Sequence, residues 1–229
     1  MGEVKFHIAL PIFIMRQLVR HRMASLNEYS GRYSEMSNEF YIPSLDYILP
    51  QSTTNRQGRA GDLSEQDRQS AAHLIEGATD AAYVVYRTLL GKQPSQLFSS
   101  EFTGISNELA RMVLPVANYT ECYWKMDLHN FFHFAKLRMD SHAQQEIRDF
   151  ATTMFDMVKP LFPLATEAFE DYVYHARTLS RMDIVAIKDM LTGNFINNPE
   201  QYGMSKREFT ELVEFFRPTA QHSRNISAT

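Results

Sequence analysis

The sequence predicts an α+β protein, rich in helix, in which a mixed or antiparallel sheet is flanked by long helices. Two segments alternate apolar and polar residues with the period of a strand, and several longer segments repeat apolar residues with the period of a helix. Only nine glycines and nine prolines occur among 229 residues, fewer than the usual combined share of about 12%. Obligatory breaks are therefore rare, which favours long helices over many short strands.

The first strand is predicted from Glu3 to Leu10, where apolar and polar residues alternate. Pro11 suits the first turn of a helix, which should run to about Met23. Residues 24–51 keep no helical period and contain many turn-forming residues, so we expect an extended or looping segment there.

A long helix is predicted to begin after Ser64, where Asp67 completes a capping signal, and to end near Leu90. Its predicted inner face consists of Ala71, Leu74, Ile75, Ala78, Ala82, Val85 and Leu89. A further helix is expected from about Ser99 to Leu114, because Pro115 stops it.

The clearest strand runs from Tyr119 to Met126, and Asp127 can cap a helix that ends near Arg138. Ser141 can cap the next helix, to about Lys159. Shorter helices are expected over Pro163–Arg177 and Met182–Leu191. A last helix should follow the capping pair Ser205 and Glu208.

The chain length suits one large domain, which we expect over residues 1–217, followed by a polar tail over 218–229. A protein of this size buries roughly 70–75% of its unfolded surface, so neither disulfides nor a structural metal is needed. The single cysteine, Cys122, excludes a disulfide framework and every multi-cysteine metal site.

The charge balance and the N-terminal residues indicate the localisation of the protein and the classes of partner it lacks. With 23 Lys+Arg against 27 Asp+Glu the formal charge is −4, which argues against general binding of nucleic acid. The apolar stretch from Ile8 to Ile14 is too short to cross a bilayer, and no signal-peptide cleavage site follows it. We therefore expect a cytoplasmic protein with neither a membrane nor a nucleic acid as its partner.

The densest polar cluster lies between positions 16 and 33 and contains four arginines. An arginine fork binds phosphate or carboxylate through two hydrogen bonds, so a dianionic phosphate would suit this cluster. A solvated helix end, where cations meet the C-terminal dipole, explains the same charges. Spacing alone leaves both interpretations open. The cluster comprises Arg16, Gln17, Arg20, His21, Arg22, Asn27, Glu28, Ser30, Arg32 and Tyr33.

The predicted helix after Asp127 is a second candidate. Asp127 and Arg138 would leave it in nearly the same direction, about 16 Å apart, and could reach both ends of a long ligand. His129 and His133 are one turn apart, but Asn130 stands where a zincin motif needs glutamate, so we predict no metal site.

Isolated residues complete the set of candidates. Arg111 and Arg138 lie near the ends of otherwise apolar helices. Each could pair with an Asp or Glu side chain or bind a ligand. Cys122 lies mid-strand with no histidine beside it, so we expect an inert thiol. Neither GxGxxG nor GxxxxGK[ST] occurs, so any nucleotide cofactor would bind without those turns.

The run RHRMASLNEYSGRY, residues 20–33, resembles the signature RHRxxSxNxxSxRY of flavin-dependent thymidylate synthases, and every fixed position matches. Further segments resemble the family in order and spacing, so that the similarity covers about residues 6–160. These segments are RMVLP at 111–115, Thr120, Trp124, Leu137 with Arg138, HAQ at 142–144 and EIR at 146–148.

The resemblance implies methylation of dUMP to dTMP with methylenetetrahydrofolate as carbon donor, FAD as carrier and NADPH as reductant. It also implies that no cysteine attacks the pyrimidine, and that the protein is a homotetramer with active sites shared between subunits.

The resemblance also implies the site residues. Arg32 and Arg111, with the Ser30–Gly31 turn, would hold the phosphate, and Glu28 would accept a hydrogen bond from the ribose. Arg138 would meet the uracil edge as the catalytic residue, because a fixed positive charge stabilises the ionised ring. The full set of nucleotide contacts is Gln17, Leu18, Val19, Arg20, Glu28, Tyr29, Ser30, Gly31, Arg32, Arg111 and Arg138.

The flavin contacts implied by the resemblance would neutralise the pyrophosphate and position the isoalloxazine. They are Arg20, His21, Arg22, Met23, Glu28, Asp127, Leu128, His129 and His133. Asp127 departs from the family, where asparagine is common. Its carboxylate would repel a diphosphate unless an arginine intervenes or unless it faces the ribose or adenine.

The family also implies several dozen residues before the first strand, including a histidine-containing segment that touches the flavin. Either the natural start lies upstream of Met1, or flavin binds here through fewer contacts. We expect weaker FAD retention than in longer relatives, which full flavin occupancy after gel filtration would contradict.

Two other classes of function stay open at this point. A non-catalytic nucleotide-binding protein would use the same arginines without flavin chemistry. An RNA-binding module is disfavoured by the net charge and by the lack of RRM or KH patterns.

Overall fold

The computed structural model describes residues 2–53, 58–191, 200 and 205–216. The chain divides into two compact units, Met1–Phe169 and Glu170–Thr229. One domain over 1–217 stays a prediction, and the predicted tail over 218–229 lies outside the described residues. The predicted class is confirmed, because a small antiparallel sheet is accompanied by a much larger share of helix.

The sheet of the first unit contains β1 (Glu3–Pro11), β2 (Ser25–Glu28) and β3 (Tyr119–Asp127), in the order β1-β3-β2. Both pairings are antiparallel, with Phe6 and Leu26 each opposite Trp124. The two predicted strands are confirmed. β2 lies within the predicted looping segment, and all four of its residues are exposed, so no burial pattern in the sequence could indicate it.

The core lies between the sheet and two helices, α4 (Leu128–Arg138) and α5 (Gln145–Val158). The ring of Trp124 meets that of Phe134 edge-on at 4.9 Å, and Phe6 stacks on Phe131 at 5.6 Å. The predicted cap of α4 is confirmed, since the Asp127 side chain accepts a hydrogen bond from the Asn130 backbone.

The first helix, α1 (Ile12–Leu18), is shorter than the predicted span from Pro11 to Met23. After Leu18 the chain turns, with Arg20 N–H donating to the Gln17 carbonyl and His21 N–H to that of Leu18. This turn brings Ser25 to its place opposite Lys125 in the sheet, so strand pairing ends the helix early.

The long helix α2 (Glu65–Leu89) confirms the predicted cap, because Ser64 Oγ accepts from the Asp67 backbone N–H at 3.1 Å. Its predicted inner face is right only in part. Leu74 and Val85 are 75% and 47% exposed, whereas Tyr86 is fully buried. Tyr86 packs with Met36, Leu90 and Ala110, and Leu89 of the predicted face packs against the same cluster.

Two other helices begin later in the chain than predicted. The helix predicted from Ser99 is reduced to α3 (Asn107–Ala110) and a 3₁₀ turn over Arg111–Val113. Gly104 precedes it with φ of +97°, a left-handed conformation that no regular helix contains. The helix predicted from Ser141 begins only at Gln145, because the Asp140 carboxylate instead accepts from the His142 backbone and holds a turn.

Among the residues that the structure describes, α5 is followed by further helices. α6 (Pro163–Phe169) and a π-helical turn over Glu170–Tyr174 replace the predicted helix Pro163–Arg177. In the second unit, α7 (Arg181–Leu191) and α8 (Lys206–Phe216) agree with the predicted helices. The predicted capping pair before α8 is confirmed, with reciprocal hydrogen bonds between Ser205 and Glu208. Within the described ranges, no helix is both long and apolar enough to cross a membrane.

Candidate active site

A cavity of about 340 Å³ opens between α1, the turn after β2 and the start of β3. One face of α1 forms a wall, since Ile12, Met15, Arg16 and Val19 recur at helical spacing. The structure thus brings together six of the predicted nucleotide contacts, which are Val19, Glu28, Tyr29, Ser30, Gly31 and Arg111.

Two buried polar residues at the cavity hold the Glu28 carboxylate and the neighbouring loop in place. Thr120 is buried on β3 and its hydroxyl donates to Glu28 Oε1 at 2.9 Å. Asn118, also buried, donates to the carbonyls of Ser37 and Glu39, both at 3.0 Å, and so fixes the neighbouring loop. Neither residue was predicted to be part of the site. Their polar side chains at buried positions near a strand end were the available signal.

The far side of the cavity is closely packed around Gly31. A Cβ there would lie 2.6 Å from Met36 Sδ and 3.4 Å from Arg111 Cδ, so glycine lets the Arg111 stem approach the turn. Arg32 does not line this cavity. Its guanidinium pairs with Glu108 at 3.2 Å, and both side chains are half-exposed.

A second cluster joins Arg138 to two residues from α1 and the turn that follows it. Arg138 Nε donates to His21 Nε2 at 3.0 Å, Nη1 to Gln17 Oε1 at 3.4 Å and Nη2 to the Gln17 carbonyl at 3.4 Å. Because His21 Nε2 accepts this bond, its ring is neutral and carries its proton on Nδ1. Burial, then the charges of Arg138 and His133, lower the pKa of His21 to about 4.

The low pKa of His21 predicts a pH-dependent stability. The unfolded chain binds a proton at His21 below its ordinary pKa of 6.5, whereas the folded chain does so only near 4. The free energy of unfolding should therefore fall as the pH drops from 6.5 to 4. We expect His21→Gln to reduce this loss, which denaturant titrations across that range would measure. Identical pH dependence in the variant and the unsubstituted protein would contradict the assignment.

The two groups of predicted nucleotide contacts are separate in this chain. Neither Gln17 nor Arg138 is among the described residues that line the cavity. The side chain of Leu18, another predicted contact, is 1% exposed and belongs to the core. Convergence of all the arginines on one nucleotide is therefore not a property of the single chain.

The predicted flavin contacts lie mostly at the surface. Arg20, Arg22 and Met23 are exposed in the turn after α1, and His129 and His133 are exposed on α4. Leu128 is half-buried, and its N–H donates to the Gly2 carbonyl. Asp127 instead accepts from the backbone and side-chain nitrogens of Asn130 at 2.8 and 2.9 Å, and the backbone bond is the main cause of its lowered pKa.

The absence of a metal site at His129 and His133 stays a prediction. In the described part of the chain, no group of three or more His, Cys, Asp or Glu residues is placed to hold a metal ion.

Comparison with known proteins assigns the chain to a family. A family model described as thymidylate synthase complementing protein matches residues 1–164. A flavin-dependent thymidylate synthase from Ehrlichia ruminantium (strain Gardel) is 44% identical over 214 residues, which are 93% of this chain and 68% of the relative. The chain belongs to the flavin-dependent thymidylate synthase family. Another such enzyme, from Rickettsia typhi, is 45% identical over 219 residues, covering 95% of this chain and 74% of the relative.

Solved structures extend the likeness to the fold of the chain. The UMP/dUMP methylase PolB from Streptomyces cacaoi bound with 5-Br UMP superposes with a TM-score of 0.66 at 30% identity, covering 76% of each chain. Its complex with 5-Br dUMP gives 0.60 at 32% identity, covering 73% of this chain and 70% of that one.

The exposed residues fit the flavin that the family name implies. Within the described residues neither Arg20 nor Arg22 is paired with a carboxylate, so both guanidinium groups can meet a diphosphate. The Asp127 carboxylate is held by the N-terminus of α4, where two donors and the helix dipole offset its charge. This placement reduces the repulsion expected between Asp127 and a diphosphate.

Proposed function

We propose that the protein is a methyltransferase that converts dUMP to dTMP, with methylenetetrahydrofolate as carbon donor, FAD as cofactor and NADPH as reductant. The observation that carries this proposal is the cavity in which Glu28, the Ser30–Gly31 turn and Arg111 meet, in a chain of this family. A carboxylate at one end and a guanidinium with a polar turn at the other suit a sugar phosphate.

Each residue has a role that its surroundings support. Arg111 and the Ser30–Gly31 turn bind the phosphate, and Glu28, oriented by Thr120, accepts from the ribose hydroxyl. Arg32 can join the phosphate site once its guanidinium leaves Glu108. Arg138 meets the uracil edge, where its charge stabilises the ionised ring. FAD, held by Arg20, Arg22 and the exposed histidines of α4, would supply the redox chemistry, with NADPH as the reductant.

The separation of Arg138 from the cavity supports an active site shared between subunits of a homotetramer. Arg111 and Arg138 can act on one nucleotide when they come from different protomers. The exposed aliphatic residues of α2, including Leu74 and Val85, offer apolar surface for such contacts. We place this enzyme in the cytoplasm, where a reduced cysteine is stable.

Spectroscopy and product analysis test the proposal. Purified protein supplied with FAD should be yellow, should bleach with NADPH, and should form dTMP once dUMP and the folate are added. Binding of dUMP without turnover would instead indicate a non-catalytic nucleotide-binding protein. Affinity for RNA that falls steeply with salt would indicate the third class.

Replacement of Cys122 by serine tests the absence of a thiol nucleophile. Burial and then the charge of Glu28 raise the pKa of Cys122 to about 11, so the thiol is protonated at neutral pH. We expect Cys122→Ser to keep its kcat and to lose about 1–3 kcal/mol of unfolding free energy, because a hydroxyl replaces a buried thiol. If the variant folds but forms no dTMP, the result would indicate that the Cys122 thiol takes part in catalysis.

A further inference from the structure

A continuous polar chain leads from Arg138 to a buried carboxylate at the start of α5. Gln17 accepts from Arg138 through Oε1, and its Nε2 donates to Gln144 Oε1 at 2.5 Å. Gln144 Nε2 in turn donates to Glu146 Oε2 at 2.9 Å. Gln17 and Gln144 are 127 positions apart in sequence, so tertiary packing joins α1 to the segment that contains Arg138, Gln144 and Glu146.

The direction of every bond in this chain is set at its buried end. A carboxylate only accepts hydrogen bonds, so Gln144 must present its amide nitrogen to Glu146 and its oxygen to Gln17. Gln17 must then present nitrogen to Gln144 and oxygen to Arg138. An amide turned by half a rotation would place NH₂ against the guanidinium donors, so its carbonyl would no longer hold the fork.

The carboxylate that sets this direction is itself fixed. Glu146 is 5% exposed, and its Oε1 is bound by Arg59 Nη2 at 2.5 Å and by the Tyr41 hydroxyl at 3.1 Å. Burial alone would raise the pKa of Glu146, but hydrogen bonds from Arg59 and Gln144 hold it below its ordinary value. Glu146 is therefore ionised at neutral pH and acts as an acceptor.

We propose that Gln144 and Glu146 are positioning residues, which orient the Gln17 amide so that its carbonyl oxygen holds the Arg138 fork for the uracil edge. This role rests on the proposed function of Arg138. It adds two residues on α5 and the turn before it that do not line the nucleotide cavity. Both lie in segments that resemble the family, but composition and spacing gave them no role.

A double-mutant cycle tests the chain. Gln144→Met keeps the length of the side chain but removes both of its relay bonds, while Glu146 keeps Arg59 and Tyr41. We expect this variant to lower kcat about tenfold, with a smaller change in KM, because the charged group at the end of the chain loses its alignment. If Gln144 acts through Gln17, the double variant with Gln17→Met should lose no more activity than Gln17→Met alone.

Gln145→Met is the matched control. Gln145 is the adjacent residue, equally half-buried, and its Nε2 donates to Asp149 rather than into the chain. We expect its kcat to stay within about twofold of the unsubstituted value. The proposal is overturned if the losses of the two single variants multiply in the double variant. It is also overturned if Gln145→Met loses as much activity as Gln144→Met.

A second measurement needs neither flavin nor substrate. The ring-nitrogen NMR signals of His21 report on its bond from Arg138 and should shift in Gln144→Met but not in Gln145→Met. Unshifted signals in Gln144→Met would overturn the relay. Absence of dTMP formation by the unsubstituted protein would refute the proposed function instead, while the NMR comparison still decides whether Gln144 positions Arg138.

Discussion

Replacement of Arg138 by lysine is expected to lower kcat for dTMP formation by about 100-fold, an effect typical of removing a preorganised donor to developing charge. Lysine keeps the positive charge but replaces a planar fork with a single ammonium. Its N–H groups all leave one nitrogen, so they cannot reach together the three acceptors that separate Arg138 nitrogens contact, which are His21 Nε2, Gln17 Oε1 and the Gln17 carbonyl. The stem of the side chain is retained, so we expect the melting temperature to fall by only about 4 °C.

Single-turnover kinetics and thermal unfolding would measure the two effects of Arg138→Lys separately. Arg87→Lys is the matched control, because it makes the same exchange on α2, outside the cavity and outside the Arg138 cluster. Its kcat should be unchanged. Full turnover by a folded Arg138→Lys protein would remove Arg138 from the catalytic assignment.

Replacement of Arg111 by methionine is expected to raise the dissociation constant for dUMP about 100-fold and to change kcat much less. Hydrogen bonds between charged partners contribute roughly 1.5–3 kcal/mol each, so loss of a bidentate phosphate contact has an effect of this size. Methionine still fills the space beside Gly31 and Met36, where the Arg111 stem packs. The effect should therefore fall on affinity rather than on folding.

Calorimetric titrations with dUMP and with deoxyuridine provide the control for Arg111→Met. Deoxyuridine lacks the phosphate, so its weaker binding should be the same in the variant and the unsubstituted protein. Parallel losses for both ligands would mean that Arg111 shapes the cavity and does not bind the phosphate.

Features of the fold that depend on neighbouring residues were predicted well from the sequence. Alternation identified both long strands, and the caps at Ser64, Asp127 and Ser205 follow from side chains three residues from their targets. The wrong helix boundaries occur where contacts between residues far apart in sequence set the structure. Gly104 approaches the backbone at Leu90 so closely that a Cβ would lie 2.3 Å from the Leu90 oxygen, which no local pattern around Ser99 indicates.

The candidate site shows the same division. The motif at residues 20–33 identified the cavity residues Glu28, Ser30 and Gly31, which lie at the end of β2 and in the turn that follows it. It did not indicate that Arg138 would lie apart from them with His21, because that depends on how α4 packs beside α1. Thr120 and Glu146 were missed as site residues. Each is a buried polar side chain with partners far along the chain, which are Glu28 for Thr120 and Tyr41 and Arg59 for Glu146.

The short helix α1 separates these two groups of residues. Arg16 and Val19 face the cavity, whereas Gln17, one position along, reaches Arg138. Inserting a single amino acid into α1 would rotate everything after it by about 100°, and would exchange the sides on which these groups emerge. The number of residues between β1 and the turn at Arg20, His21 and Arg22 is therefore as strictly determined as their identity. A change of length there should be harder to tolerate than most substitutions.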